Sequence, residues 1–421
     1  MNTPLSRRTF ITAGTAVVVA GLAPTAAFAA DGKGNNPPAG SAPFTLSATV
    51  LDGGEQVTSV TIDTSRQGGL KEGPIPTSAF TVHARGTNPL TGRVAYDVDR
   101  PVTAARVDSR GRIILDLEHG EGVLGGATLD YIVNAGRNVM LDLEYTITQV
   151  QPLPQHGKGA PEIKSFTQGA LVNSEVDAFT HHVAARSGTN YRLFAPQNRG
   201  RSQSRPLIVW LHGGGEGGLL TGGYNYYDNE APLRGNRGAL GFTTDEAQDL
   251  FGGAYVVAPQ CPSMWLADGP AYAPLISEVI EEVCATHMVD RDRIHVVGCS
   301  NGGYMTLKMI VENPDAFASA VPICPVVVPF NSTGPMVPDE QLAAIDTPTW
   351  LITAADDTIV DPQANTVHAH ELIPGSILSL YEDVTWNGYR FPGHWSWIYA
   401  ARNDPAHAGV KLWKWMAEQQ R

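Results

Sequence analysis

The segment Ile294-His295-Val296-Val297 runs straight into Gly298-Cys299-Ser300-Asn301-Gly302, after which Tyr304, Leu307 and Ile310 repeat at helical spacing. A strand that must reverse within two residues and begin a helix needs small side chains where the two elements touch, and Gly298 and Gly302 supply them. Such a turn lifts the Ser300 hydroxyl above the end of the strand, at a helix N-terminus where developing negative charge is favoured. An ordinary glycine-rich turn would need none of that context. The flanking sequence keeps the same grammar: strand candidates at 206–211, 254–259, 293–298, 318–323, 349–353 and 377–381 alternate with helical patterns, among them Leu275, Ile276, Val279, Ile280 and Val283. Strands that are apolar throughout and separated by helices imply a mostly parallel sheet buried on both faces, an α/β class.

Upstream the grammar differs. Short alternating segments at 44–51, 56–62, 79–84, 93–98, 112–117 and 138–150 are divided by Gly, Pro, Asn and Asp turns, without a helical period. That pattern predicts an all-β sandwich of immunoglobulin-like architecture over 44–150. A chain of 421 residues also exceeds the roughly 250 to 300 that one core serves. The expected division is an export signal at 1–30, a flexible leader at 31–43, the sandwich, a linker at 151–165 and a catalytic segment at 166–421. The signal rests on Arg7-Arg8, the apolar run after Ile11 and Ala27-Phe28-Ala29, which together suggest twin-arginine export; a retained anchor is the competing reading. The formal charge of -13 and the lack of a Lys/Arg cluster argue against nucleic-acid or anionic-membrane partners. Cys261, Cys284, Cys299 and Cys324 all follow residue 260, and a Cys299–Cys324 bridge or free buried thiols fit the sequence equally.

A serine nucleophile needs an imidazole base held by a carboxylate. In a sheet of this kind the acid follows a late strand and the histidine lies nearer the C-terminus. Asp357 suits the acid by its D-x-x-V spacing, with Asp356 the alternative and Asp361 a weaker one. His394, in Gly393-His394-Trp395 beyond the last strand, suits the base. His368 and His370 fall in a helical stretch, and with Asp361 they lack further ligands for a metal. The sequence calls for no metal or organic cofactor. His212-Gly213-Gly214-Gly215 follows an early strand, where its N–H groups can approach a substrate oxygen; Glu216 next to it either organises that loop or is solvated. Trp265, Trp386, Trp395 and Trp397 fall near the same loops and could wall a pocket, with core packing the competing reading for two of them.

With these residues placed, 166–421 resembles the α/β-hydrolase superfamily, in particular secreted esterases related to polyhydroxybutyrate depolymerases and feruloyl esterases, and is similar to prolyl-oligopeptidase-like predicted peptidases. The resemblance is carried by Leu211-His212-Gly213-Gly214-Gly215-Glu216, Ala258-Pro259-Gln260-Cys261-Pro262, Asp292-Arg293-Ile294, Gly298 to Tyr304, and Gly393-His394. It implies a secreted Ser300–His394–Asp357 carboxylic ester hydrolase, with Gly214 (or Gly213) and Asn301 as oxyanion donors; Trp265 and Trp395, by their place near these loops, are the candidate substrate contacts. A serine peptidase with the same residues and a non-catalytic binding protein are the alternatives. An all-β segment ahead of such a hydrolase resembles bacterial esterases whose N-terminal immunoglobulin-like domain is associated with oligomer formation and site accessibility. Tannase-like relatives pair the cysteine beside their serine with one beside their histidine; no cysteine lies next to His394 in sequence.

Overall fold

The computed structural model describes residues 41–64, 70–133, 135–153, 163–196, 203–218, 229–328 and 336–421. The expected signal at 1–30 and most of the leader lie outside them. The end of the leader is corrected: β1 (Ser41–Leu51) already begins there, because alternation puts Ala42 as well as Phe44 and Leu46 into a core. It is followed by β2 (Gly54–Ile62), β3 (Gly73–Pro74), β4 (Phe80–Thr87), β5 (Val94–Arg100), β6 (Val102–Val107), β7 (Ile113–Leu117), β8 (Leu129–Ile132), β9 (Arg137–Met140) and β10 (Asp142–Gln149). The stretch 138–150 is two strands, because Leu141 leaves the ladder and donates its N–H to Thr128 O at 2.9 Å.

These strands and β11 (Ser165–Val172) make one sheet in the order β11-β1-β2-β7-β6-β3 and a second in the order β10-β4-β5. Phe44, Val57, Val60 and Leu115 of the first meet Val82, Ala84, Tyr145 and Ile147 of the second in a shared core. β8 and β9 form a hairpin of their own. The expected linker and catalytic boundary are corrected by β11, which runs parallel to β1 from Ser41↔Ser165 to Ser47↔Val172. Leu153 and Ile163 are buried in the same core. An exposed edge strand needs no apolar alternation, so the polar run Ser165-Phe166-Thr167-Gln168 concealed it.

The second segment is built on eight strands: β12 (Phe179–Val183), β13 (Asn190–Phe194), β14 (Arg205–Leu211), β15 (Tyr255–Pro259), β16 (Val289–Cys299), β17 (Ser319–Ile323), β18 (Trp350–Ala354) and β19 (Ile377–Tyr381). Their order is β12-β13-β15-β14-β16-β17-β18-β19. β12 and β13 add antiparallel and the others run parallel, so the sheet is mixed. The central strands carry apolar residues on both faces because both are covered. The helices Gly269–Thr286 and Asn301–Glu312 bury Ile276, Val279 and Leu307 on one side, and Leu240, Phe242 and Trp413 cover the other.

Charged groups join the two segments. The fully buried Glu55 carboxylate on β2 pairs with Arg234, accepts from Asn173 Nδ2 at 2.7 Å and takes the Thr128 hydroxyl at 2.6 Å. Arg402 forks onto Asp52 at 2.8 and 2.9 Å, and Arg237 donates to Val50 O at 2.7 Å. No helix among the described residues is long and apolar enough to cross a membrane.

Candidate active site

β16 ends at Cys299 and the helix begins at Asn301, leaving Ser300 alone at the corner with φ 55° and ψ -114°. A non-glycine residue there stores about 1–3 kcal/mol of strain and persists only where its surroundings enforce it. Two contacts do so. A side chain on Gly302 would run into the carbonyls of Leu211 and His212, and one on Gly298 would meet Gly302 C and Thr306 Oγ1 at 2.7 Å each. The Ser300 N–H is tied to Ile323 O at 2.8 Å.

His394 lies in the short 3-10 turn Gly393–Trp395 and Asp357 in the loop after β18. The Ser300 hydroxyl donates to His394 Nε2 at 2.9 Å, and His394 Nδ1–H donates to Asp357 Oδ2 at 2.8 Å. Asp357 is aimed by its other oxygen, Oδ1, which accepts the N–H groups of Ile359 and Val360 at 2.8 and 2.9 Å. The competing Asp356 instead pairs with Arg390 at 3.0 Å. Burial works to lower the His394 pKa; the Cys324 sulfur and the hydrogen bond to Asp357 outweigh it, and the imidazole is raised above its usual value. The Cys324 thiol donates to His394 O at 3.4 Å, a contact between residues seventy positions apart that sequence spacing does not reveal. Among the described residues, Cys324, Asp357 and His394 bring candidate metal-ligating atoms within 4.8 Å of one another. All four cysteines are free.

The glycine loop after β14 is held from several sides. His212 is fully buried, donating from Nδ1 to Gly213 O at 2.6 Å and accepting the Cys261 N–H at Nε2 at 2.9 Å. Burial drives its pKa down to about 4, so it is a neutral strut. Gly214 faces Asn301, whose side chain lies 3.9 Å from where a Gly214 Cβ would sit. Asn301 Oδ1 takes the Leu266 N–H at 2.8 Å. Glu216 is buried beneath the loop rather than solvated, and accepts Asn138 Nδ2 at 3.0 Å. Burial pushes its carboxyl up to about 7 against the opposing effects of Asn138, Arg137 and the N–H groups of Glu216 and Gly213.

One expected substrate contact is corrected. Trp265 is 1% exposed, packs against His212 with the rings tilted and their centroids 5.1 Å apart, and donates to His212 O at 3.2 Å, so it lies under the loop and cannot wall a pocket. Trp395 is half-buried beside His394 and packs on Trp397, whose ring stands edge-on to the His394 imidazole at 5.6 Å. The residues that sequence reading missed here are Arg137 and Asn138. They come from β9 of the first segment, and no motif in the chain links them to the glycine loop.

Sheet and site together define the fold class as an α/β-hydrolase preceded by all-β structure. A thermostable esterase of known structure superposes with a TM-score of 0.71 at 24% identity, covering 90% of this chain and 99% of its own. That share is too large for the second segment alone. The prolyl oligopeptidase family (peptidase S9) matches residues 275–333. Among curated proteins, poly(3-hydroxyalkanoate) depolymerase C of Paucimonas lemoignei is 29% identical over 170 residues, 37% of this chain and 36% of its own. The esterase NocK, so named in Nocardia uniformis subsp. tsuyamanensis, is 28% identical over 134 residues, 32% of this chain and 37% of its own. The matches thus span little more than a third of these relatives' length.

Proposed function

We propose that this protein is a serine hydrolase that cleaves carboxylic esters through an acyl-enzyme on Ser300, acting outside the cytoplasm after export directed by residues 1–30. The observation that carries the reading is the hydrogen-bonded line from Ser300 Oγ through His394 to Asp357, at 2.9 and 2.8 Å. His394 takes the Ser300 proton as the oxygen attacks the acyl carbonyl, then returns it to the departing alcohol oxygen. A water molecule, deprotonated by the same imidazole, releases the acid and restores Ser300. Asp357 holds the tautomer and stabilises the imidazolium. The N–H groups of Gly214 and Asn301 receive the tetrahedral oxyanion, each worth about 3 kcal/mol in comparable sites. Trp395, with Trp386 and Trp397, borders the substrate; the all-β segment is the immunoglobulin-like domain, and copies of the chain associate through it. The relatives named as an esterase and a polyester depolymerase support ester cleavage, whereas the match to the prolyl oligopeptidase family favours peptide amides.

Both are tested by turnover of p-nitrophenyl esters of increasing acyl length beside a peptide p-nitroanilide, with the parent enzyme and Ser300→Ala. Ester cleavage lost in the variant supports the proposal. Cleavage of the anilide alone would transfer it to the peptidase reading.

A further inference from the structure

The glycine loop owes its shape in part to a side chain from outside the catalytic segment. Arg137, on β9 of the first segment, is 1% exposed and reaches across to Gly214 O at 2.7 Å and Ser263 O at 3.1 Å, while Nη1 also donates to its neighbour Gly136 O at 2.9 Å. A buried guanidinium is costly unless its N–H groups find acceptors; here Nη1 and Nη2 find the main-chain carbonyls of Gly136, Gly214 and Ser263, while Nε is left without a partner. The adjacent Asn138 secures Glu216 at 3.0 Å.

The geometry has a direct bearing on the Gly214 N–H. The peptide unit that carries it has Gly213 C=O at its other end, fixed by His212 Nδ1 at 2.6 Å. The next unit has its carbonyl, Gly214 O, fixed by Arg137. With the carbonyls on both sides of Gly214 tethered, the two dihedrals of that residue have little freedom and the N–H cannot swing. Glycine would otherwise roam further than any other residue, and an oxyanion donor is effective only when it points, before reaction, at where charge will develop. The positive charge of Arg137 beside the same loop adds a favourable field.

We infer that Arg137 is a positioning residue for ester cleavage, so that the all-β segment supplies part of the oxyanion machinery. The inference rests on the proposed function and would act on the transition state more than on substrate binding. Replacing Arg137 by Met should lower kcat by roughly 10- to 100-fold, the scale on which misplacing a catalytic donor acts, with KM within about threefold of the parent. Arg137→Lys, which keeps the charge and can reach one carbonyl, should recover part of kcat. Arg402→Ala, which breaks a different bridge between the same segments, serves as the control for loosened docking.

The test measures kcat, KM and Tm for p-nitrophenyl butyrate with these full-length variants. It adds the affinity by calorimetry of phenylboronic acid, whose adduct on Ser300 copies the tetrahedral oxyanion. Supporting results are a kcat loss in Arg137→Met with KM held, weaker boronate binding, partial rescue by Lys and near-parent kcat in Arg402→Ala. Parent-like kcat and boronate affinity in Arg137→Met would overturn the inference while leaving the esterase standing, as would an equal kcat loss in Arg402→Ala. A parent enzyme without Ser300-dependent ester turnover would overturn both.

Discussion

Cys324 lies beside both His394 and Asp357, with its sulfur, an Asp357 oxygen and an imidazole nitrogen within 4.8 Å of one another, and it is the first of the influences that raise the imidazole. A base must be neutral to accept a proton, so raising it moves the rising limb of kcat/KM to higher pH. The limb should centre above 6.5, the ordinary histidine value, and Cys324→Ala should shift it down. A pH–rate profile of both proteins measures this. The accompanying stability follows the same sign: a group raised on folding stabilises fully below its unfolded pKa and loses that contribution as pH rises through the folded one. Glu216, raised from 4.5 to about 7 mainly by burial, likewise favours the native state most at low pH. Glu216→Gln removes that titration, so its stability relative to the parent should improve between about pH 4.5 and 7. Urea midpoints at several pH values read the difference. That Ser300, His394 and Asp357 come together was legible because a strained turn and its partners impose residue types at an ordered spacing. Cys324 was not, since a lone cysteine after a strand carries no such pattern, and Trp265 misled because an aromatic near a site reads the same whether it lines a pocket or lies under a loop.

The element that organises the site is the passage from β16 into the helix Asn301–Glu312. Gly302 sits against the carbonyls of Leu211 and His212 at the end of β14, so the helix crosses the sheet without the clearance a methyl group needs. Gly302→Ala should destabilise the protein by about 1–3 kcal/mol or more through this overpacking and move Ser300 off its partner. A lower Tm together with a fall in kcat would be the joint signature. The core strands of this sheet could be read ahead of the structure because burial on both faces demands unbroken apolar runs. β12, at the sheet edge with exposed Thr180 and His181, and its antiparallel neighbour β13 escaped, as neither carries such a run. β11 escaped for a related reason: an exposed strand owes its existence to a pairing partner, here β1, far away in the chain.

At the scale of the whole molecule the two segments are held by charge buried between them. Glu55 has no exposed side-chain surface and Arg234 only 6%. Removing one member strands the other away from water, so Glu55→Ala should cost about 3–5 kcal/mol, far more than an exposed ion pair is worth. Equilibrium unfolding in urea should show one transition in the parent, because the described residues form a single compact unit. In Glu55→Ala the midpoint should fall or the transition split in two. None of this coupling was visible in the sequence, where Glu55 and Arg234 stand 179 positions apart.

The strand β11 carries this unity into the covalent layout. It completes one end of the first sheet by lying alongside β1, then leads through Asn173 directly to the turn before β12. A gene cut at codon 166, where composition alone would divide it, severs a strand from its sheet and strips β9 from the glycine loop. On the proposed function, the half released by such a cut would keep Ser300, His394 and Asp357 and yet turn over esters more slowly, so modular exchange of front domains among enzymes built this way should fail unless the strand and the hairpin travel with them.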